Sequence, residues 1–232
     1  MAQAGVEPAL TAASRTKVRA VVFDLDGTLI DSRGDIARAA NHALVEHGFV
    51  ALPEEQIAHY VGDGARRLLV RAANIEPGDP LIELLYASFI GYYTQHPTEL
   101  TTFCPGAEAA LAALSDLPLA LCTNKPRVTT ERVLEGLGIA RLFRVVSAGG
   151  DLPVHKPDPG PVFQVAEQLG LLPSELVMVG DGAQDVGAGR AAGAHTIGVL
   201  GGIQAEERLL AAEPEHLIRT LFELPELVRR LS

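Results

Sequence analysis

Two carboxylates, Asp24 and Asp26, stand where an apolar run near the start of the chain ends. Residues 18–23 form that run and Gly27 breaks it, a pattern that predicts a buried strand with both aspartates at its carboxyl end. The aspartates share one parity, so a regular strand would point both to the same side. Burying two carboxylates together is costly unless a positive charge compensates them, and a divalent cation meets that need.

Further polar side chains follow other apolar runs of the chain. Thr123 and Asn124 end one run, Asp181 follows another with Asp185 four residues on, and Lys156 lies in a proline-containing loop. In an open α/β sheet, ligands bind at the carboxyl ends of the strands, so we expect these residues to converge on one edge. Carboxylates, a hydroxyl and a lysine together favour a magnesium site that also binds a phosphoryl group.

The elements that must position these residues alternate regularly after residue 105. The patterns predict strands and helices with short, glycine-terminated connections, which favours an α/β fold with a Rossmann-like parallel sheet. The predicted strands are 18–23, 117–123, 143–147, 176–180 and 196–200, and the predicted helices are 106–114, 127–137, 161–169 and 183–192. The tail, 214–231, is predicted to be an amphipathic helix on the sheet edge.

Between the first strand and this alternating region, the chain has a block of helical patterns. Apolar residues recur at helical spacing from residue 36 to residue 93, and nothing in residues 32–100 is typical of a strand. A simple βαβ unit needs one crossover helix, so the block indicates an inserted helical domain. We therefore predict a loosely ordered extension (1–16), a core (17–31 and 101–232) and an inserted helical domain (32–100).

Composition limits the classes of partner. The chain has 232 residues and a formal net charge of −10, which argues against nucleic acid or an anionic membrane as the main partner. Cys104 and Cys122 are too few for a disulfide framework, and we expect buried thiols. We expect a cytoplasmic protein, since no run reaches the length of a membrane span and residues 1–16 lack the apolar centre of a signal peptide. A transit peptide stays open, as does the choice between monomer and homodimer.

Four motifs, in order along the chain, resemble those of the haloacid-dehalogenase-like phosphohydrolases. The resemblance covers nearly everything from residue 17 to about residue 202, and it implies a core with an α-helical cap domain. Details of residues 24–32, 60–65, 122–126 and 149–159 resemble the phosphoglycolate phosphatase group. The four motifs are Asp24-Leu25-Asp26-Gly27-Thr28, Thr123-Asn124, Lys156-Pro157 and Gly180-Asp181-Gly182-Ala183-Gln184-Asp185.

The resemblance implies a role for each motif. Asp24 would attack phosphorus and form an aspartyl-phosphate, while Asp26 would act as general acid and then as general base. Mg²⁺ would be held by the Asp24 side chain, the Asp26 backbone carbonyl and Asp181, with Asp185 as a further or water-mediated partner. Thr123 would donate to a phosphoryl oxygen, and Lys156 would neutralise charge. Backbone N–H groups around Gly27 and Asn124 would add donors.

The inserted helices would then close over a small phosphate ester. Residues 61–66 are the candidate loop for substrate contact. One of the pair Arg66 and Arg67 is the candidate ligand for a substrate carboxylate or phosphate, and Arg66 is the one we assign. A solvated helix face is the alternative for Arg66. For Lys125, a position facing the substrate and a solvated position are both open.

The predicted reaction is Mg²⁺-dependent hydrolysis of a phosphomonoester, with 2-phosphoglycolate as the favoured substrate. A pyrophosphatase or a sugar-phosphate phosphatase would use the same core, and Gly27-Thr28 resembles the hydrolase version of the motif more than that of a β-phosphoglucomutase-like mutase. A signalling receiver domain would be shorter and carry its phosphorylated aspartate on a later strand. An inactive interaction protein would have no need of the whole set of polar residues.

Overall fold

The computed structural model describes residues 16–232. Of the predicted N-terminal extension, residues 1–16, all but Thr16 lies outside the described residues. Within the described range the strands are β1 (Ala20–Phe23), β2 (Ile30–Asp31), β3 (Thr102–Phe103), β4 (Leu119–Pro126), β5 (Val145–Gly149), β6 (Leu176–Gly180), β7 (His195–Val199) and β8 (His216–Ile218). The α-helices are α1 (Arg33–Glu46), α2 (Glu54–Ala58), α3 (Ala65–Ala73), α4 (Leu81–Gln95), α5 (Ala107–Ala113), α6 (Arg127–Gly136), α7 (Gly160–Leu169), α8 (Ala183–Ala192), α9 (Glu206–Ala211) and α10 (Leu224–Leu231).

A six-stranded parallel sheet with the order β5-β4-β1-β6-β7-β8 forms the centre of the molecule. Strand β1 lies between β4 and β6, and Val21 pairs with Leu119 on one side and with Val177 on the other. All four residues of β1 are buried, as expected for a central parallel strand whose two faces are both covered. The predicted α/β, Rossmann-like fold is confirmed.

Alternate residues of β1 contribute to two separate cores. Ala20 and Val22 lie in one apolar cluster with Val162 of α7 and other buried residues of α7 and α8. Val21 and Phe23 lie in a second, larger cluster that includes buried residues of α5, α10 and the inserted helices. The period of two along β1 thus produces the helix, sheet, helix layering that holds the strand ends at one edge.

The tail departs from its prediction. Residues 214–231 were predicted to be one helix, but His216–Ile218 form β8, which pairs in parallel with β7, and the helix α10 begins only at Leu224. Without β8, strand β7 would present unpaired backbone N–H and C=O groups at the edge of the sheet, and the three residues of β8 pair with them. So short a strand leaves no readable period in the sequence, which explains the error.

The inserted helices connect to the sheet through a two-stranded antiparallel ribbon. Strands β2 and β3 pair Ile30 with Phe103 and Asp31 with Thr102, and α1 to α4 all lie between them in the chain. Residues 32–101, all of which the structure describes, contain no strand, as the sequence predicted. The two passages of the chain between sheet and helices therefore lie side by side.

Asp35 is a buried anchor at this junction. Its carboxylate accepts hydrogen bonds from the backbone N–H of Leu100 (3.0 Å) and from the backbone N–H and hydroxyl of Thr101 (2.8 and 2.7 Å). Asp35→Ala should lower the free energy of unfolding by about 3 kcal/mol, because it leaves buried donors without an acceptor. Urea unfolding measures the effect. Asp35→Asn, which keeps one carbonyl acceptor, should lose clearly less, and an equal loss in both variants would contradict this account.

Candidate functional site

The carboxyl edge of the sheet brings the predicted polar residues together. Asp24 and Asp26 follow β1, Thr123 lies near the end of β4, and Asp181 follows β6. The backbone N–H of Asp24 still donates to the Val179 carbonyl of the neighbouring strand (2.9 Å), which fixes where β1 ends. The site is therefore set by the register of three adjacent parallel strands.

Three buried carboxylates form the centre of the site. Asp24, Asp181 and Asp185 each contribute an oxygen such that these atoms all lie within 4.8 Å of one another. Lys156 reaches them from the loop before α7. Its ammonium donates to Asp24 Oδ1 (2.8 Å), Asp185 Oδ1 (2.6 Å) and the Cys122 carbonyl (2.6 Å), and its side chain is only 1% exposed.

The charges of this cluster do not balance. Burial, together with the neighbouring Asp185 and Asp24 carboxylates, raises the pKa of Asp181 to about 8. Burial also raises the pKa of Asp185, even though Lys156 acts against the rise. Burial alone would lower the pKa of Lys156, but the two carboxylates it contacts outweigh that effect and raise it. Three carboxylates with one ammonium leave an excess of negative charge. The carboxylate oxygens are a donor set that fits a hard divalent cation.

Gly27 lets the loop after β1 approach Asp181 closely. Its φ of +90° favours glycine, and a Cβ there would collide with the Asp181 carboxylate. We expected backbone N–H groups around Gly27 to bind the phosphoryl group. In this geometry the Gly27 N–H itself donates to the Ile30 carbonyl (2.7 Å) instead. Thr28 and the backbone of Gln204 also bind the Asp181 carboxylate, at 3.2 and 3.0 Å, and hold it in place.

Asn124 connects the Lys156 loop to the helical insert. Its side-chain amide donates to the carbonyls of Gly62 (2.9 Å) and Lys156 (3.0 Å), and its oxygen accepts from the Lys156 N–H (2.9 Å). Thr123, which accepts from the Lys125 N–H at 3.2 Å, lies beside it and lines the same cavity. The predicted pair Thr123-Asn124 therefore lies next to Asp24, with the amide of Asn124 occupied in positioning two loops.

Asp26 has partners that the sequence did not reveal. Its carboxylate accepts from the Lys125 ammonium (2.9 and 3.2 Å) and from the Ser32 hydroxyl (2.5 Å), and Lys125 also donates to the Tyr93 hydroxyl (2.6 Å). Lys125 is buried, so the solvated alternative for this residue is wrong. Tyr93 comes from α4, far away in sequence. A buried tyrosine on an apolar helix face signals that its hydroxyl needs a partner, but not which one.

A small cavity separates the carboxylates from the helical insert. Its volume is about 40 Å³, roughly three times the space that one water requires. The core lines it with Asp24, Asp26, Thr123, Asn124, Lys125 and Pro126, and the insert lines it with Ile36, Val61, Gly62, Gly64, Ala65, Leu68, Phe89 and Tyr93. The predicted contact loop, 61–66, thus forms part of the wall.

Arg66 is not brought together with the other predicted residues. Its guanidinium pairs with Glu83 (2.7 and 3.0 Å) and lies 3.6 Å from the ring centre of Tyr86. Together with Arg67 and His155 it lines a neighbouring cavity of about 240 Å³ instead of the one that contains Asp24. Its assignment as a substrate ligand stays a prediction.

No helix among residues 16–232 has the length and apolar character needed to cross a membrane. Both cysteines are free; Cys122 is buried as expected, whereas Cys104 is only partly buried. Burial raises the pKa of each thiol to about 12.

Comparison with known proteins adds independent evidence. The model of the family described as haloacid dehalogenase-like hydrolase matches residues 21–199. Phosphoglycolate phosphatase of Neisseria meningitidis is 39% identical over 219 residues, covering 90% of this chain and 93% of that protein. The phosphoglycolate phosphatase of Chromobacterium violaceum is 40% identical over 214 residues, covering 89% and 96%. A crystal structure of a predicted phosphoglycolate phosphatase from Haemophilus somnus superposes with a TM-score of 0.83 at 27% identity, covering 91% and 98%.

Proposed function

The chain belongs to the haloacid dehalogenase-like hydrolases, in their phosphoglycolate phosphatase group, and from that premise we propose that it is a Mg²⁺-dependent phosphomonoesterase acting on 2-phosphoglycolate. The products would be glycolate and inorganic phosphate. The observation that carries the proposal is the contact of Asp24 with Lys156 inside a cluster of buried carboxylates beside a small cavity. The named relatives support the substrate.

Asp24 is the proposed nucleophile. One of its oxygens forms a bond to phosphorus as the bond from phosphorus to the substrate oxygen breaks, and Asp26 gives that leaving oxygen a proton. Asp26 then takes a proton from a water whose oxygen attacks phosphorus, which releases phosphate and restores Asp24. Lys156 holds the Asp24 carboxylate in place throughout, and the Thr123 hydroxyl binds a phosphoryl oxygen.

Mg²⁺ would be held by Asp24, Asp181 and the backbone carbonyl of Asp26, with Asp185 as a further partner. When bound, the ion supplies positive charge that neutralises the phosphoryl oxygens. The raised pKa of Asp181 supports a cation at this place, because the cluster has more negative charge than Lys156 can balance.

Mg²⁺ should therefore stabilise the fold. At about 100 times its dissociation constant, a ligand of the native state adds about 2.7 kcal/mol to the free energy of unfolding. Thermal unfolding with Mg²⁺ and with EDTA measures this gain. Asp181→Asn keeps an oxygen for its backbone donors and removes one repelling charge. It should equal or exceed the wild type in EDTA and lose the gain with Mg²⁺. A gain of the same size in both proteins would contradict the assigned ligands.

We further propose that residues 32–100 act as a cap on a core made of residues 17–31 and 101–232. Support comes from the ribbon at the junction and from the insert residues that wall the cavity. Closure excludes bulk water from the reacting phosphoryl group and restricts the substrate to a small ester. We propose a cytoplasmic enzyme, since both cysteines are free and thiols stay reduced in the cytoplasm. The absence of a nucleic-acid partner and a monomeric or homodimeric state stay predictions.

A phosphate-release assay over a panel of phosphoesters and pyrophosphate, with Mg²⁺ and then with EDTA, tests the function. We expect kcat/KM for 2-phosphoglycolate to exceed that of the other compounds and to reach on the order of 10⁴ M⁻¹s⁻¹ or more. A preference for pyrophosphate or sugar phosphates would leave the core chemistry in place and replace the proposed substrate. Inactivity of the wild type on every compound would remove the hydrolase proposal.

Arg66 requires its own test. If it binds the substrate carboxylate, Arg66→Ala should raise KM for 2-phosphoglycolate about tenfold more than KM for an aryl phosphate. Glu83→Gln is the matched variant, because it removes the charge that pairs with Arg66 and keeps the guanidinium. An equal change in KM for both substrates would take Arg66 out of the substrate site.

A further inference from the structure

The partners of Lys125 suggest a function that the motifs do not assign. Lys125 lies near the end of β4, two residues before α6 begins, and its ammonium is enclosed by the core on one side and by α4 on the other. It donates to both oxygens of Asp26 and to the Tyr93 hydroxyl, and it lies 4.4 Å from the centre of the Tyr93 ring. Its side chain is 3% exposed.

This arrangement fixes the direction of the Asp26 carboxylate. Lys125 holds both oxygens from one side, and Ser32, the residue before α1, donates its hydroxyl to Oδ1. Proton transfer depends on a carboxylate oxygen being within hydrogen-bond reach of the reacting atom, so a rotation of this group would cost rate.

Tyr93 belongs to the helical insert, whereas Lys125 and Asp26 belong to the sheet. With α4 in place, Tyr93 covers the ammonium and keeps water from it, which strengthens the attraction between Lys125 and Asp26. With α4 moved away, the ammonium would be hydrated and the same pair would be weak, as exposed ion pairs are.

We propose that Lys125 is a positioning residue for Asp26, and that Tyr93 makes this positioning depend on closure of the helical insert. The inference rests on the proposed function, since it concerns the residue assigned to both proton transfers. Its consequence is that the acid and base group is correctly oriented only when α4 covers Lys125, as it does in this structure.

Lys125→Met removes the charge and keeps an unbranched side chain of similar length. With an alkyl phosphate such as 2-phosphoglycolate, kcat/KM should fall about 100-fold, because the poor leaving group needs the proton from Asp26. With p-nitrophenyl phosphate, kcat/KM should fall less than about tenfold, since this leaving group departs without help. Hydrolysis of the aspartyl-phosphate still needs Asp26 as base, so the variant should release about one equivalent of nitrophenol per enzyme in a burst before slow turnover.

Tyr93→Phe should also lower the ratio of kcat/KM for 2-phosphoglycolate to kcat/KM for p-nitrophenyl phosphate, but by a smaller factor, about three- to tenfold. Tyr92→Phe is the matched control. Tyr92 is the neighbouring residue of α4, but it stacks on His42 and lines a different surface depression. Loss of its hydroxyl should therefore leave kcat/KM unchanged for both substrates.

Three results would overturn the inference. Equal losses on the alkyl and aryl phosphates, without a burst, would make Lys125 a structural residue. A rise in KM for 2-phosphoglycolate that is not seen with glycerol phosphate would make it a ligand of the substrate carboxylate. A Tyr93→Phe variant with unchanged ratios would remove the dependence on closure. Wild-type inactivity on all three esters would instead contradict the proposed function, so the two failures are distinguishable.

Discussion

Asp24→Asn is expected to lower kcat for phosphate release by on the order of 10⁴-fold or more, with little change in stability. The amide that replaces the carboxylate is a poor nucleophile, so no aspartyl-phosphate forms and the route through it is closed. The substitution is nearly isosteric, and its oxygen still accepts from the Lys156 ammonium. Phosphate release from 2-phosphoglycolate measures the loss, and urea unfolding checks the fold.

Asp31→Asn provides a matched control. Asp31 also follows soon after β1, but it pairs at the surface with Arg33 and does not line the cavity. The same change of carboxylate to amide there should leave kcat within about twofold. If Asp24→Asn retained activity within tenfold of the wild type, Asp24 would not be the nucleophile and the covalent mechanism would be wrong.

The polar residues at the carboxyl edge of the sheet were predictable, because the sequence patterns that mark them are local. Asp24 and Asp181 each follow a short apolar run, and the alternation of strands and helices places such run ends at one edge. The structure accordingly brings oxygens of Asp24, Asp181 and Asp185 within 4.8 Å. Lys156 was predictable only through the order of the motifs, since a lysine in a proline-containing loop is otherwise typical of a surface.

The remaining features depend on contacts that span the chain. The partnership of Lys125 with Tyr93 joins residues 32 positions apart across the boundary between sheet and insert, and no local pattern encodes it. Arg66 was assigned from its place beside a glycine-containing loop, but the structure gives its guanidinium to Glu83, one helix away. Strand β8 was not predicted, because its three residues show no strand pattern of their own. They form a strand through their pairing with β7.

Lys156→Met should lower both stability and activity. It leaves Asp24 and Asp185 buried without the ammonium that both contact, and breaking a buried ion pair from one side costs about 3–5 kcal/mol. Loss of a group that would orient the proposed nucleophile and face the developing charge should lower kcat by on the order of 10²- to 10³-fold. Urea unfolding in EDTA and phosphate release at saturating Mg²⁺ measure the two effects.

A second substitution separates the two effects. Asp185→Asn in the Lys156→Met background removes one of the stranded charges while its amide oxygen still accepts from the Gly182 N–H. The double variant should therefore regain about half of the lost free energy of unfolding, on the order of 2 kcal/mol, because only one carboxylate then lacks its partner. Its kcat should stay as low as that of Lys156→Met, since nothing restores a cation to Asp24. If activity returned together with stability, Lys156 would act only by holding the fold, and its proposed function at the phosphoryl group would be wrong.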